Sequence, residues 1–241
     1  MLDVSKLTGG YGNLIVVRNI TFSMELGETL AIVGSNGAGK STLLWALSGM
    51  IQPKSGRVIF REQDITGWDC SRILRLGIGH VLQGTHVFGS LSVEDNLILG
   101  AYGQKSKLRE LKERKLPIVY KYFPVLEKKR KQLAGSLSGG EKQMLTISSP
   151  LMCDLHLLFL DEPSAGLAPL LVKRLFEILK DLRDEFQLTI LLVEQNAEAA
   201  LRFSNRGFVL AQGQIVLGGE SHNLINNEEV RRIYLGSGPR V

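Results

Sequence analysis

A glycine-rich segment, "GSNGAGKST" at residues 34–42, has the residue types that bind a phosphate chain. Its pattern of Gly, four residues, Gly, Lys and Ser follows an apolar strand and opens a helix, as a phosphate-binding loop requires. Lys40 could reach the β- and γ-phosphates, and the Ser41 hydroxyl is a hard oxygen ligand for Mg²⁺. The glycine spacing and Lys40 argue against a dinucleotide site. The residues predicted to bind nucleotide here are Gly34, Ser35, Asn36, Gly37, Ala38, Gly39, Lys40, Ser41 and Thr42.

Two adjacent carboxylates, Asp161 and Glu162, follow a second apolar stretch in "LLFLDEPSAG". Asp161, at the end of a buried strand, is expected to complete the Mg²⁺ shell directly or through bound water. Glu162 would then lie near the γ-phosphate, where it could orient and deprotonate an attacking water. Asp-Glu-Pro is also an ordinary turn whose Pro163 starts a helix, so the phosphate-binding loop is what favours the catalytic interpretation.

The segment "LSGGEKQ" at residues 137–143 predicts a second anion site. Ser138 is suited to cap a helix, and Gly139 and Gly140 leave its first N–H groups unobstructed for a γ-phosphate. An ordinary cap is the alternative, although a cap does not need two glycines, each costing up to about 1 kcal/mol in a helix. Because the helix after Lys40 already surrounds that phosphate on one side, we expect this segment to serve a nucleotide held by another chain.

The apolar patterns predict an α/β fold with a mainly parallel sheet flanked by helices. Continuous apolar runs at 29–33, 157–160 and 189–193 are typical of strands covered on both faces. A helix between the last two is predicted by apolar residues at helical spacing. These residues are Leu175, Leu179, Leu182 and Phe186.

Other segments predict further elements around this core. Alternation in "NITFSMEL" at 19–26 indicates an antiparallel sheet near the amino end. "FVLAQGQIVLGG" at 208–219 indicates a hairpin that turns at Gln212 and Gly213, and "EEVRRIYLG" indicates a closing helix. We therefore expect one P-loop NTPase domain over 1–241. Its antiparallel β subdomain and core would occupy about 1–94 and 151–241, and an inserted helical subdomain about 95–150.

Composition excludes several functional classes. The 241 residues are 44% hydrophobic and 22% charged, which fits a folded domain with ample core. No apolar stretch approaches the roughly 20 residues of a membrane helix, and "MLDVSKLTGG" lacks the apolar region of a secretory signal, so we expect a cytoplasmic chain. Cys70 and Cys153 lack the spacing of a metal site. The net charge is +5, but the basic residues are not interleaved with aromatics, so no nucleic acid partner is expected.

Taken together, the motifs resemble the ATP-binding subunits of ABC transporters over nearly the full chain. "LSGGE" matches the family signature, "LLFLDEP" the Walker B segment and "SAGL" at 164–167 the D-loop. The resemblance implies binding of ATP and Mg²⁺ in a head-to-tail dimer, with each ATP between the P-loop of one subunit and the signature of the other. It implies that Ser138, Gly139, Gly140 and Glu141 contact the partner's nucleotide. It also implies that Tyr11 stacks on adenine and that Gln83, in "HVLQG", senses Mg²⁺ and contacts a membrane partner.

Within that family, "LLVEQNAEAAL", "GLAP" and the closing "IYLG" resemble the LivF type, which drives import of branched-chain amino acids. This implies transmembrane permease subunits, a substrate-binding protein outside the membrane, and a peripheral position on its inner face. Urea, short amides or other amino acids are alternative substrates. Gln195 stands where most of the superfamily has a histidine that contacts the γ-phosphate. We therefore expect Glu162 to be the dominant catalytic residue, assisted by Lys40, with Gln195 as a γ-phosphate sensor.

The chain also departs from the family pattern. Ser149 and Pro150 replace the usual Arg and Ala, so the signature helix should end early or kink there. "HVLQGT" lacks the usual Pro and Arg, which puts coupling through Gln83 in doubt. The basic run "EKKRK" at 127–131 predicts a solvated face, or a contact with anionic lipid headgroups. Two alternative functions remain. A soluble ABC-type ATPase acting on ribosomes or DNA usually has two tandem ATPase domains or a long coiled-coil insertion, and this sequence predicts neither. A small-molecule P-loop kinase is disfavoured because it has no use for "LSGGE".

Overall fold

A computed structural model of the protein describes residues 1–102, 108–228 and 230. In these residues ten β-strands form two sheets. The strands are β1 Leu2–Tyr11, β2 Leu14–Met24, β3 Thr29–Val33, β4 Ser55–Phe60, β5 Gln63–Asp64, β6 Ile78–Val81, β7 Leu157–Asp161, β8 Thr189–Glu194, β9 Arg206–Ala211 and β10 Gln214–Glu220.

The two sheets have the characters that the sequence patterns predict. The four-stranded sheet, in the order β2-β1-β4-β5, is antiparallel. The six-stranded sheet has the order β10-β9-β3-β8-β7-β6, and all its pairs are parallel except the hairpin β9–β10. This hairpin turns at Gln212 and Gly213, as predicted, and both residues have positive φ (49° and 78°). The predicted fold class, a P-loop NTPase core with an amino-terminal antiparallel sheet, is confirmed.

Alternate residues of the buried strands face two hydrophobic cores. In β3, Ala31 and Val33 face one core, whereas Leu30 and Ile32 face the other. Strands β7 and β8 divide their side chains in the same way. In register, Val33 pairs with Glu194 and Asp161 pairs with Val193, so the carboxyl ends of the three strands meet at one edge of the sheet. The residues that follow these strands are therefore brought together.

Nine α-helices are present in the described part of the chain. They are α1 Lys40–Leu47, α2 Cys70–Arg75, α3 Val93–Gly100, α4 Leu108–Tyr122, α5 Pro124–Lys128, α6 Gly139–Ser148, α7 Pro169–Phe186, α8 Ala197–Phe203 and α9 Ser221–Asn226. Helix α1 packs into the core that also contains the antiparallel sheet, and α7 packs into the opposite core. Helix α1 thus starts directly behind the loop that follows β3.

The helix predictions can be compared with these bounds. The helix predicted from Leu175, Leu179, Leu182 and Phe186 lies within α7, which begins at Pro169. Phe186 is 41% exposed at the helix end, where it lies edge-on to Tyr122. Helix α6 ends at Ser148 and continues as a short 3₁₀ helix over Ser149–Met152. The expected early end is confirmed, and its physical reason is Pro150, which cannot donate the next helical hydrogen bond.

Between Val93 and Met152 the described residues form helices and turns, which agrees with a helical insertion. The division of the chain into subdomains remains a prediction. Most of the predicted closing helix, at 228–236, and residues 105–107 of the charged segment lie outside the described residues. No helix among those described is both long and apolar enough to cross a membrane.

Candidate functional site

The phosphate-binding loop joins β3 to α1 and leaves the start of this helix open. Gly39 occupies the cap position in a left-handed conformation (φ 103°), and no side chain caps the first N–H groups of α1. Gly37 also has a positive φ, of 78°. Only glycine adopts such conformations without strain. The backbone therefore presents amides and the positive end of α1 to the same cavity.

Lys40 is a buried cation at the start of α1, with only 4% of its surface exposed. Its Nζ donates to the carbonyl oxygens of Gly34, at 3.0 Å, and Ser35, at 3.2 Å. It also lies 3.2 Å from Oε1 of Glu162. A buried ammonium is stable only with such acceptors around it. The contacts fix Lys40 between its own loop and the carboxyl end of β7.

Ser41 and Asp161 form a pair of hard oxygen donors beside Lys40. The Ser41 hydroxyl donates to Oδ1 of Asp161 at 3.0 Å. Asp161 is 1% exposed, and burial raises the pKa of its carboxyl from 3.8 to about 6; the hydrogen bond from Ser41 opposes this shift, and the charge of Glu162 adds to it. Hydroxyl and carboxylate oxygens are the ligands that Mg²⁺ prefers. The donor set therefore fits this metal.

Glu162 is held on both sides of its carboxylate. Oε1 lies against Lys40, and Oε2 accepts a hydrogen bond from Nε2 of Gln83 at 2.9 Å. The backbone of Glu162 is left-handed (φ 48°), and its N–H donates to the carbonyl of Val193 at 2.8 Å. A non-glycine residue in this region costs of order 1–3 kcal/mol, and such strain clusters at functional sites. The geometry turns Glu162 from the strand direction towards the cavity.

Glu194 is a further buried carboxylate, which the sequence analysis missed. It is 2% exposed, and burial raises its pKa above the usual value. Oε1 accepts from the N–H of Ser164 at 2.9 Å, and Oε2 accepts from the N–H of Gln195 at 3.2 Å. Glu194 thus ties the loop after β7 to the loop after β8. The sequence does contain a sign of this residue: like Asp161, Glu194 is a carboxylate directly after a continuous apolar run.

A cavity of about 460 Å³ lies above the phosphate-binding loop. Tyr11 lines it, 42% exposed, with its hydroxyl 3.3 Å from Oγ1 of Thr42 and its ring edge-on to Trp45. Gln195 is exposed and reaches the same cavity. The predicted site residues that line it are Tyr11, Asn36, Gly37, Gly39, Lys40, Ser41, Thr42, Gln83, Glu162 and Gln195. Their roles in binding and catalysis remain predictions.

The second predicted anion site does not line this cavity. Ser138 and Glu141 form a reciprocal cap of α6: the N–H of Ser138 donates to Oε2 of Glu141 at 3.0 Å, and the N–H of Glu141 donates to Oγ of Ser138 at 3.4 Å. A Cβ added to Gly139 would meet no atom within 4 Å. A Cβ on Gly140 would lie 2.7 Å from Cδ1 of Leu171. A side chain at Gly140 would thus contact the movable end of Leu171 within the chain, whereas Gly139 faces open space.

Two connections to the site were not foreseen from the sequence. The N–H of Gly213, at the turn of the β9–β10 hairpin, donates to the carbonyl of Ala38 at 2.9 Å, so the hairpin holds the phosphate-binding loop from behind. In α6, the buried Gln143 donates from Nε2 to the carbonyl of Pro163 at 3.0 Å, which joins the signature helix to the loop after β7. Both contacts cross between distant parts of the chain, and the sequence pattern gives no sign of them.

The sequence is similar to those of known proteins. Residues 17–165 match the family model described as ABC transporter. The chain is 40% identical to the high-affinity branched-chain amino acid transport ATP-binding protein BraG of Pseudomonas aeruginosa, over 98% of this chain and 100% of that protein. It is 36% identical to the probable branched-chain amino acid transport ATP-binding protein LivF of Archaeoglobus fulgidus, over 98% of this chain and 99% of that protein.

The fold also matches a solved structure. A crystal structure of the ADP conformation of MJ1267, an ATP-binding cassette of an ABC transporter, superposes with a TM-score of 0.86 and 27% sequence identity. The match covers 98% of this chain and 99% of that one. The sequence and fold comparisons therefore agree on one family over nearly the whole chain.

The burial of Asp161 predicts a conflict between stability and activity. Between pH 3.8, where an unfolded aspartate titrates, and about 6, the folded state retains a proton that the unfolded state has lost. The free energy of unfolding should therefore fall as the pH rises through this range. At pH 7.5 in EDTA, we expect Asp161→Asn to raise the free energy of unfolding by on the order of 2 kcal/mol. The same substitution should abolish Mg²⁺-dependent ATP hydrolysis.

Urea unfolding followed by circular dichroism at pH 4 and pH 7.5 measures this effect. The matched control is Asp181→Asn on the exposed face of α7, which should change the free energy of unfolding by less than about 0.5 kcal/mol. An Asp161→Asn protein less stable than the parent at pH 7.5 would contradict the inferred cost of the buried carboxylate.

Proposed function

The chain belongs to the ABC transporter family of ATP-binding proteins, and we propose that it is the ATP-hydrolysing subunit of an importer for branched-chain amino acids. The observation that supports this most strongly is the joint placement of Lys40, Ser41, Asp161 and Glu162 at one edge of the parallel sheet. The substrate class is inferred from the similarity to BraG and LivF, because the transported molecule would contact other chains.

The cavity above the phosphate-binding loop is lined by residues that the sequence predicts to bind nucleotide. We propose that Tyr11 stacks on adenine, since its exposed ring borders the cavity. The amides at the start of α1 would bind the β- and γ-phosphates, and Lys40 would exchange its carbonyl and Glu162 contacts for phosphate oxygens. A triphosphate offers the ammonium a stronger partner than neutral carbonyls.

The charge balance around Lys40 favours a nucleotide that enters together with a divalent cation. Lys40 contacts the buried carboxylate of Glu162, and the buried carboxylates of Asp161 and Glu194 lie close enough to Glu162 to feel its charge. A triphosphate alone would add negative charge to an already acidic site. Ser41, Asp161 and Gln83 would hold Mg²⁺, which supplies charge neutralisation at the β- and γ-phosphates.

Hydrolysis in this arrangement requires a base beside the γ-phosphate. We assign that role to Glu162, which would accept a proton from water as the water oxygen attacks phosphorus in line. The bond from phosphorus to the bridging oxygen breaks, giving ADP and inorganic phosphate without a covalent enzyme intermediate. Gln195, at the cavity rim, would donate a hydrogen bond to the γ-phosphate. Glu194 would keep Gln195 in place by accepting a hydrogen bond from the backbone N–H of Gln195.

The position of Ser138, Gly139 and Gly140 favours assembly with a second ATP-binding subunit. These residues lie outside the cavity formed by the chain's own phosphate-binding loop. We propose that they complete the site of a neighbouring subunit in a head-to-tail pair, which is a second copy of this chain or a related one. The Gln143 contact with Pro163 would link that interface to the subunit's own catalytic loop.

The same proposal places the chain against the inner face of the cell membrane. Gln83 contacts Glu162 directly and precedes the helical region, so a change at the γ-phosphate could pass through it to transmembrane permease subunits. A substrate-binding protein on the other side of the membrane would deliver the amino acid.

Glu162→Gln should trap ATP without hydrolysing it, because an amide cannot act as the base. With ATP and Mg²⁺ we expect a dimer, and with ADP a monomer, by light scattering after gel filtration. Release of phosphate should fall by at least about 100-fold. A monomer at saturating ATP would contradict pairing between two copies of this chain and would leave a different ATP-binding subunit as the partner.

Uptake of radiolabelled leucine in cells that lack this gene tests the substrate. We expect uptake at micromolar leucine to be lost and to be restored by the wild-type gene but not by the Glu162→Gln gene. Uptake of a labelled sugar serves as the control and should not change. Normal leucine uptake in the deleted strain would overturn the substrate assignment and leave the ATPase assignment intact.

Gly139→Ala separates the interface role of the signature from its role in folding. Because open space surrounds Gly139, and alanine is the better helix former, we expect the unfolding free energy to stay equal or rise by up to about 1 kcal/mol. We also expect ATP-dependent dimerisation of the Glu162→Gln protein to weaken at least tenfold, since the new methyl group would face the neighbouring nucleotide. Thermal unfolding and light scattering measure the two effects.

The contrasting variant is Gly140→Ala, whose methyl group would meet Leu171 within the same chain. Because only the flexible end of the Leu171 side chain must shift and alanine is the better helix former, we expect the unfolding free energy to stay within about 1 kcal/mol of the parent. If Gly139→Ala dimerised like its parent, Gly139 would not approach a nucleotide.

A further inference from the structure

We propose that Lys129 is a positioning residue for the second anion site, where it neutralises Glu141 and fixes the Ser138 cap against the nucleotide held by a second copy of this chain. This inference rests on the proposed function, because it assumes that the start of α6 receives a phosphate from another subunit. It divides the basic run "EKKRK" into one residue with a role at the site and neighbours that face solvent.

The contacts form a continuous chain from Lys129 to the start of α6. Nζ of Lys129 donates to Oε1 of Glu141 at 2.6 Å, and Oε2 of the same carboxylate accepts from the N–H of Ser138 at 3.0 Å. The Lys129 side chain is 32% exposed and that of Glu141 is 19% exposed, so solvent screens this pair less than a fully exposed one. Both carboxylate oxygens of Glu141 are therefore engaged within the chain.

The backbone of Lys129 is held where the side chain can reach Glu141. Its N–H donates to the carbonyl of Val125 at 3.2 Å, and its carbonyl accepts from Gln132 at 2.8 Å. The chain after Lys129 is hydrogen-bonded to the start of α3, where the N–H of Val93 donates to the carbonyl of Gln132 at 2.9 Å. By contrast, Lys128 is exposed and has no ion pair among the residues that the structure describes.

Electrostatics explains why the start of α6 needs this ammonium. A carboxylate in the first turn of a helix completes the cap, but it would repel a phosphate that approaches the same helix end. Lys129 is the largest cause of the lowered pKa of Glu141, as expected of an ammonium held against an ionised carboxylate. The pair as a whole is neutral. Glu141 can then cap α6 without opposing an incoming phosphate.

The first measurement compares three variants in the Glu162→Gln background. For each, light scattering gives the ATP concentration at half-maximal dimerisation in Mg²⁺. Lys129→Met is expected to raise this concentration about fivefold. Lys129→Arg should restore it to within twofold, because guanidinium also pairs with carboxylate. Lys128→Met, the matched loss of one exposed charge, should have no effect. Melting temperatures without ATP should agree within about 2 °C.

A double-mutant cycle with Glu141→Gln tests the mechanism. Glutamine can accept from Ser138 but carries no charge, so Lys129→Met should then cost less than twofold. A fivefold cost in both backgrounds would mean that Lys129 acts independently of Glu141 and would overturn the proposal. So would an unchanged Lys129→Met protein in the Glu141 background, or a loss that follows a lowered melting temperature and is not restored by Lys129→Arg.

The same data distinguish a failure of the inference from a failure of the proposed function. If the Glu162→Gln parent dimerises with ATP and Lys129→Met behaves like it, the role of Lys129 alone is wrong. If the parent binds ATP but remains monomeric, pairing between copies of this chain is wrong, and the inference falls with it.

Discussion

The buried contact between Lys40 and Glu162 is the constraint on which the rest of the site depends. Both residues are less than 10% exposed, and their charged atoms lie 3.2 Å apart. Removing two charges from water costs several kcal/mol per ion, and only fixed partners can offset it. The carbonyls of Gly34 and Ser35 on one side and Gln83 on the other are those partners. Gly34 and Ser35 follow β3, Gln83 follows β6 and Glu162 follows β7, so the parallel sheet keeps the pair in place.

This constraint connects the remote elements of the fold to the site. The β9–β10 hairpin supports the phosphate-binding loop through Gly213 and Ala38, and Glu194 ties the loops after β7 and β8 together. Glu162 keeps its strained left-handed backbone because Val193 accepts its N–H. Under the proposed function, a triphosphate and a metal ion would offer Lys40, Gln83 and Asp161 stronger partners. Glu162 would then be available to accept a proton from water.

The start of α6 differs from the start of α1 in its charge. Helix α1 is opened by Gly39 and has no capping side chain, whereas α6 carries a full reciprocal cap and an added ammonium. The first arrangement suits a loop that wraps around a phosphate chain from one side. The second suits a rigid surface that meets a phosphate only when another subunit brings it. We propose that each helix start meets an anion. Residues outside the helix hold both of them: Glu162 and Gly213 at the start of α1, and Lys129 at the start of α6.

The sequence by itself determined the chemistry and the order of elements. Three local patterns carried this information: the spacing from Gly34 to Thr42, the carboxylates after "LLFL", and the continuous apolar strands. Such patterns can be recognised in a sequence because they depend only on residues that are close together in the chain. Helix α6 ends at Ser148, as Pro150 predicts, because proline has no N–H to donate to the next helical hydrogen bond. Only the tertiary structure decided which residues contact the two carboxylate oxygens of Glu162, namely Gln83 and Lys40. It also decided that Gly213 donates to Ala38 and that Lys129 is the residue of its basic run that contacts Glu141. These contacts join residues 12 or more positions apart, and their partners are set by strand register and packing, which a single sequence does not encode as a pattern.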